Sequence, residues 1–141
     1  QWCDPEAVCR EAHRVLRPHG ELALSTLGPA TFAELREAFA SIDQHRHTIG
    51  FSEPETIAEA LRRAGFAGIR LHRQTVSQHY PDLGSLLRAV KDIGANAVGD
   101  GARSGMLGRR AWQRVQAAYE RHRASDGLPA RYDVILAYAS K

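Results

Sequence analysis

The sequence has no run of eighteen or more apolar residues, which excludes a membrane-spanning helix. No signal-peptide pattern opens it. Its only two cysteines, Cys3 and Cys9, stand six positions apart near one end, on different sides of any helix containing them. Two such thiols match no metal signature, and we expect reduced, half-buried side chains of a cytoplasmic protein. Aromatic residues make up 7% of the chain, too few beside its arginines for stacking on single-stranded nucleic acid. No Ser-His-Asp or Cys-His pairing is legible, and no Gly-x-Gly pattern follows a strand. Internal repeats and low-complexity tracts are absent as well.

What remains is an ordinary globular composition. The 141 residues are 43% apolar, enough to build one core. A net charge of +3 and a pI near 9.2 point weakly to an acidic partner. The chain opens Gln1-Trp2-Cys3 without an initiating methionine and enters a helix almost at once. It reads as the later part of something longer.

The organising stretch is residues 16–29. A helix ends into Arg17-Pro18-His19-Gly20, a strand follows over 21–26, and Gly28-Pro29 turns the chain into another helix. Pro18 cannot continue a helix, and Gly20 is suited to the left-handed turn. Leu22 and Leu24 alternate in the strand, with Ala23 small enough to be covered on the other face. Helices on both sides of a short apolar strand are the unit of an α/β sheet.

The other elements attach to this unit. Asp4-Pro5-Glu6 is a helix start, with Val8, Ala12, Val15 and Leu16 as its apolar stripe. Thr31 to Glu34 and Ser52 to Glu55 read as capping boxes of two further helices. Their buried faces are Phe32, Leu35, Phe39 and Ile42, then Ile57, Ala58, Leu61 and Ala64. Gly65-Phe66 closes the latter in Schellman style. Residues 68–78 suit a strand near a sheet edge. Leu83, Leu86, Leu87, Val90 and Ile93 mark a fourth helix ending at Gly94. A glycine-rich loop, 99–105, leads to a fifth, lined by Trp112, Val115, Tyr119 and His122. The last strand alternates Tyr132, Val134, Leu136 and Tyr138.

The residues just quoted carry a resemblance. Arg14-Val15-Leu16-Arg17-Pro18-His19-Gly20 before an apolar strand is similar to the second half of class I S-adenosylmethionine-dependent methyltransferases. More narrowly, the chain resembles the malonyl-acyl-carrier-protein methyltransferases of biotin synthesis. The segments that carry this are Gln1-Trp2-Cys3, Ser25 to Pro29, Ala40 to Asp43 with His47 and Phe51, Lys91 to Ala95, and Gly127 to Tyr132. The resemblance covers essentially the whole chain. It implies an α/β fold: the C-terminal half of a Rossmann-like sheet, three strands, with a helical insertion over residues 82–128 that resembles a substrate lid. It also implies S-adenosylmethionine as methyl donor and an acidic acyl carrier protein bearing a malonyl group as partner. The family's glycine-rich loop and acidic ribose-holding residue have no counterpart here, so this part alone is expected not to bind the donor.

Candidate site residues follow. Gln1 and Trp2 lie where the preceding strand of such a sheet would end, at the ligand edge, unless Trp2 merely packs under the first helix. The cluster His45, Arg46 and His47 is a poor metal site and serves either as a loop cap or as an anion contact. Arg109, Arg110, Arg114, Arg121 and Arg123, with Arg103 upstream, line the outer side of the fifth helix. They are either a solvated face or, with Lys91, contacts to substrate or carrier. Catalytic and donor-binding residues are not legible. Two alternatives stay open: another small-molecule methyltransferase of the same superfamily, or a non-catalytic basic module that binds nucleic acid.

Overall fold

The computed structural model describes residues 2–40, 42, 49–92, 94 and 107–141. They form five helices and three strands: α1 (Pro5–Val15), β1 (Glu21–Leu27), α2 (Ala33–Ala40), α3 (Pro54–Arg63), β2 (Ala67–Tyr80), α4 (Leu83–Asp92), α5 (Arg109–Glu120) and β3 (Leu128–Ser140). The sheet order is β1-β3-β2, so the last strand enters between the first two. It runs antiparallel to β1, from Glu21 opposite Ser140 to Leu27 opposite Val134. The chain divides into two compact units.

The first unit comprises Gln1–Thr31, Phe51–Val76 and Tyr132–Lys141. Asp4 caps α1 as its residue type predicts, accepting from the N–H groups of Glu6 and Ala7 at 3.2 Å each. At the other end the Lys141 ammonium donates to the carbonyls of His13 and Leu16, a cation on the orphan acceptors of a helix terminus. α3 ends in the expected Schellman pattern: Phe66 N–H bonds the Leu61 carbonyl, Gly65 N–H that of Arg62, and Gly65 has φ 96°. α1 and α3 pack together, and the core gathers Cys9, Ile57, Ala60, Leu61, Phe66, Ala137 and Ala139. Full burial of Leu61 alone is worth about 1.5–3 kcal/mol.

Several local expectations are corrected in this unit. Val8 and Val15 are exposed, and the buried side of α1 is Cys9 with Ala12 and Leu16 against the core. Cys9 is therefore fully buried and Cys3 exposed, rather than both half-buried. The left-handed residue of the 17–20 turn is His19 (φ 61°), not Gly20. Gly20 is needed for closeness instead, since a Cβ there would lie 2.8 Å from the Arg17 carbonyl oxygen. The N-cap of α3 is Glu53, with no side-chain cap bond, so Ser52 forms no capping box; Pro54, which has no N–H, removes one of the donors such a cap would satisfy. In β3 the buried phase is Asp133, Ile135, Ala137 and Ala139, while Tyr138 is 43% exposed. The buried phase is thus one residue out from the larger side chains Tyr132, Val134, Leu136 and Tyr138. Ala23 is likewise exposed, so the described residues cover β1 on one face only.

The second unit comprises Phe32–Gly50 and Ser77–Arg131. α2 and α5 pack against each other. The unit buries Phe32, Leu35 and Phe39, then Leu83, Leu86 and Val90, then Val115, Tyr119 and Leu128. Tyr119 satisfies its hydroxyl by donating to the Pro129 carbonyl at 2.8 Å. Phe32 is held left-handed (φ 57°) although fully buried, and its N–H donates to the Arg131 carbonyl at 2.8 Å. The expected capping box at 31–34 does not form. The Thr31 hydroxyl is taken by the backbone of Asp133 within the first unit, and Glu34 pairs with Arg131 within the second. His122 lies just past the end of α5.

Candidate functional site

The chemistry-bearing geometry of the first unit converges on the carboxyl end of β1. Open α/β sheets bind ligands beyond the carboxyl ends of their strands, where loops can close over a group without breaking the sheet. Here that end runs through Ser25, Thr26 and Leu27 into the turn Gly28-Pro29-Ala30-Thr31. A cavity of about 120 Å³ opens beside it, lined by Cys3, Pro5, Val8, Cys9, Leu24, Ser25, Thr26, Ser52 and Ile57. It is mostly apolar with three hydroxyls, and burial pushes the Cys9 thiol pKa up, reinforced by the nearby Asp4 charge. Cys9 is therefore a neutral wall, not a nucleophile. A larger hollow of about 380 Å³ lies by Glu21, Ala23, Gly68, Arg70 and Tyr138, at the amino end of β1. That is the wrong end for a ligand site, and it marks the open sheet face.

The turn after β1 is held by one residue of β3. Asp133 is 4% exposed. Its Oδ1 accepts from Arg73 Nε at 2.6 Å, and its Oδ2 from Arg73 Nη2 at 2.7 Å and Ala30 N–H at 3.0 Å. Its backbone carbonyl accepts from Gly28 N–H at 2.7 Å, and its own N–H donates to the Thr31 hydroxyl at 3.0 Å. The Arg73 fork holds the carboxyl below the usual carboxylate range, helped by the Ala30 N–H, while the same pairing raises Arg73. Gly28 is fixed by this packing: a Cβ there would fall 2.5 Å from Oδ2.

The sequence-predicted residues fall out as follows. Gln1, His45, Arg46, His47 and Arg103 lie outside the described residues. Trp2 is 65% exposed, so it does not pack under α1. Lys91 is exposed in the last turn of α4. Arg109 and Arg110 form the exposed first turn of α5, and Arg114 follows on the same helix, also exposed. Arg123 bonds Glu120 and the Pro81 carbonyl, a structural use. Trp2 belongs to the first unit, and Lys91 and the arginines to the second. Asp133 and Arg73 were not anticipated. The available signal was an aspartate in the middle of an apolar alternating strand. Among the described residues no group of three potential metal ligands occurs, and no helix is long and apolar enough to cross a membrane.

An α/β chain with a constrained turn at a strand's carboxyl end is a general ligand-binding design, and the proteins this chain is similar to are methyltransferases. No family model matches the chain. A malonyl-[acyl-carrier protein] O-methyltransferase of Dechloromonas aromatica is 52% identical over 141 residues, which is all of this chain and 54% of that protein. The enzyme of the same name from Laribacter hongkongensis is 43% identical over 99% of this chain and 47% of its own length. A biotin biosynthesis bifunctional protein of Teredinibacter turnerae is 36% identical over the whole chain, a quarter of that larger protein. The chain is a homologue of the malonyl-[acyl-carrier protein] O-methyltransferases, and it spans about half the length of those it matches.

Proposed function

We propose that this chain is the C-terminal part of an enzyme that moves a methyl group from S-adenosylmethionine to the free carboxylate of malonyl-acyl-carrier-protein, early in biotin synthesis. The observation that carries the reading is 52% identity to an enzyme of that name over the whole chain. Two structural features support it. The open face of the sheet, with Ala23 and Tyr138 exposed, and the outer edge of β1 are surfaces that the remaining half of a Rossmann-like sheet would cover. The helices α4 and α5, between β2 and β3 in the chain, supply the helical insertion over 82–128 that we read as a substrate lid.

These residues alone are expected not to hold the donor. A ligand with an adenosine group needs a cleft of roughly 300 Å³ or more, and among the described residues the cavity at the ligand edge holds about 120 Å³. The glycine-rich strand–helix turn that grips such cofactors is also missing from the sequence. No catalytic step is therefore assigned to the donor here. On the acceptor side the chemistry is undemanding: a malonyl carboxylate is already ionised and nucleophilic at neutral pH. It needs orientation rather than a general base.

Carrier recognition falls to α5. Arg109 and Arg110 open the helix, where their charge adds to the positive end of its dipole. An acidic partner would relieve that arrangement. In the complete enzyme, changing Arg109, Arg110 and Arg114 together to Glu should raise KM for malonyl-carrier-protein at least about tenfold at low salt, the effect shrinking as salt screens it. Activity on a small malonyl thioester should change far less. Equal losses on both substrates would place an arginine on the malonyl carboxylate itself. Unchanged kinetics would leave α5 a solvated face, and tight salt-dependent DNA binding by the parent would favour the nucleic-acid reading instead.

A further inference from the structure

We propose that Asp133, locked by Arg73, is the positioning residue for the turn Gly28-Pro29-Ala30-Thr31, and that this turn forms part of the edge that receives the carboxylate-bearing acyl acceptor. The kinetic part of this inference rests on the methyl-transfer reading above. The geometric part does not.

Asp133 binds the turn at three points, through Gly28 N–H, Ala30 N–H and the Thr31 hydroxyl. A carboxylate that is 4% exposed is a costly way to hold a loop, because burying a charge loses its hydration. Apolar packing would hold the strand equally well. What the carboxylate adds is direction: its two oxygens join the Arg73 fork to the Ala30 N–H, while Gly28 N–H and the Thr31 hydroxyl are held by the Asp133 backbone. Arg73 completes the lock from β2 with a planar fork, a geometry that lysine cannot reproduce. Gly28 shows how little slack remains, since its missing side chain is the space that Oδ2 occupies. The strand residues just before the turn, Ser25 and Thr26, line the cavity at the ligand edge. A shift of the turn therefore moves the wall of that cavity directly.

A plain structural staple and a positioning residue predict different outcomes. The test uses the complete methyltransferase carrying this segment, with Asp133→Asn, Asp133→Glu and Arg73→Lys. Amide hydrogen exchange should accelerate at Ala30 in Asp133→Asn, while Gly28, bonded to the Asp133 main-chain carbonyl, and the β1 amides paired with β3 stay protected. KM for malonyl-carrier-protein should rise about tenfold with kcat within about twofold, the pattern of lost binding rather than lost chemistry. Asp133→Glu should do no better than Asp133→Asn despite keeping the charge, because no room exists for another methylene against Gly28. Arg73→Lys should fall between wild type and Asp133→Asn. Unchanged exchange at the turn would overturn the lock. Faster exchange with unchanged KM would overturn the ligand-edge role and leave a staple. A wild-type parent that transfers no methyl group would remove the functional reading, while the exchange contrast would still decide the lock.

Discussion

Among the described residues each unit of this chain buries one carboxylate, and the two are treated in opposite ways. In the first unit both oxygens of Asp133 are occupied, by Arg73 and by a backbone N–H. In the second, Glu34 is equally buried, yet Arg131 meets only Oε1, at 2.5 Å, and Oε2 has no partner. A buried carboxylate oxygen without a donor costs on the order of 1–3 kcal/mol. The contrast teaches what burial alone cannot: a fully satisfied charge fixes its surroundings, whereas a half-satisfied one is tolerated by them. It also separates roles. Asp133 sits at the carboxyl end of β1, where placement of a turn matters. Glu34 belongs to a helical unit whose order comes from apolar side chains.

The comparison can be broken by isosteric substitution. Asp133→Asn should destabilise the protein by about 2–3 kcal/mol, since it removes a charge-assisted pair and leaves buried donors poorly matched. Glu34→Gln should cost less than about 1 kcal/mol, because the weakened pairing with half-exposed Arg131 is offset by removal of a buried charge. Chemical denaturation of both variants against wild type decides this, and equal losses would erase the distinction.

Acid sharpens it further. The folded-state pKa of Asp133 is depressed, so its contribution is fully present above the unfolded value of about 3.9 and is lost as pH falls through the folded value. Stability measured downward from pH 5 should therefore fall less steeply in Asp133→Asn than in wild type. A parallel pair of acid limbs would mean that the Arg73 fork does not perturb the carboxyl.

The second unit's well-satisfied polar group should fall between Asp133 and Glu34. Tyr119→Phe removes the hydroxyl bond to the Pro129 carbonyl and leaves that acceptor buried, a loss of about 1–1.5 kcal/mol. A value near zero would show that the carbonyl finds another donor at once.

The parts of this structure that were legible in the sequence are those fixed by near neighbours. Asp4-Pro5 starting α1 and Gly65-Phe66 ending α3 are decided within one helical turn, and both appear as read. The five helices, three strands and edge position of β2 also follow from periodicity and turn residues. What escaped was decided at a distance. Thr31 was read as a cap from its local spacing, but its hydroxyl is claimed by Asp133, 102 residues away in the sequence. Asp133 reaches Arg73 across 60 residues, and no local pattern specifies that pairing. The phase of β3 failed for a related reason. Its larger side chains point to the face left open here, so size misled where neighbours decide. At the site level, Arg109, Arg110 and Arg114 are exposed on α5 as expected, Arg121 and Arg123 lie past its last residue, Glu120, and the residue with the most constrained geometry was missed.

The most direct measurement replaces the matching half of the Dechloromonas aromatica methyltransferase with these 141 residues and follows transfer of a labelled methyl group to malonyl-carrier-protein. The account predicts a folded chimera that forms the malonyl methyl ester, with kcat/KM within about tenfold of the donor enzyme, a difference of about 1.4 kcal/mol. A chimera that folds and binds S-adenosylmethionine but leaves the malonyl carboxylate unmethylated would contradict it.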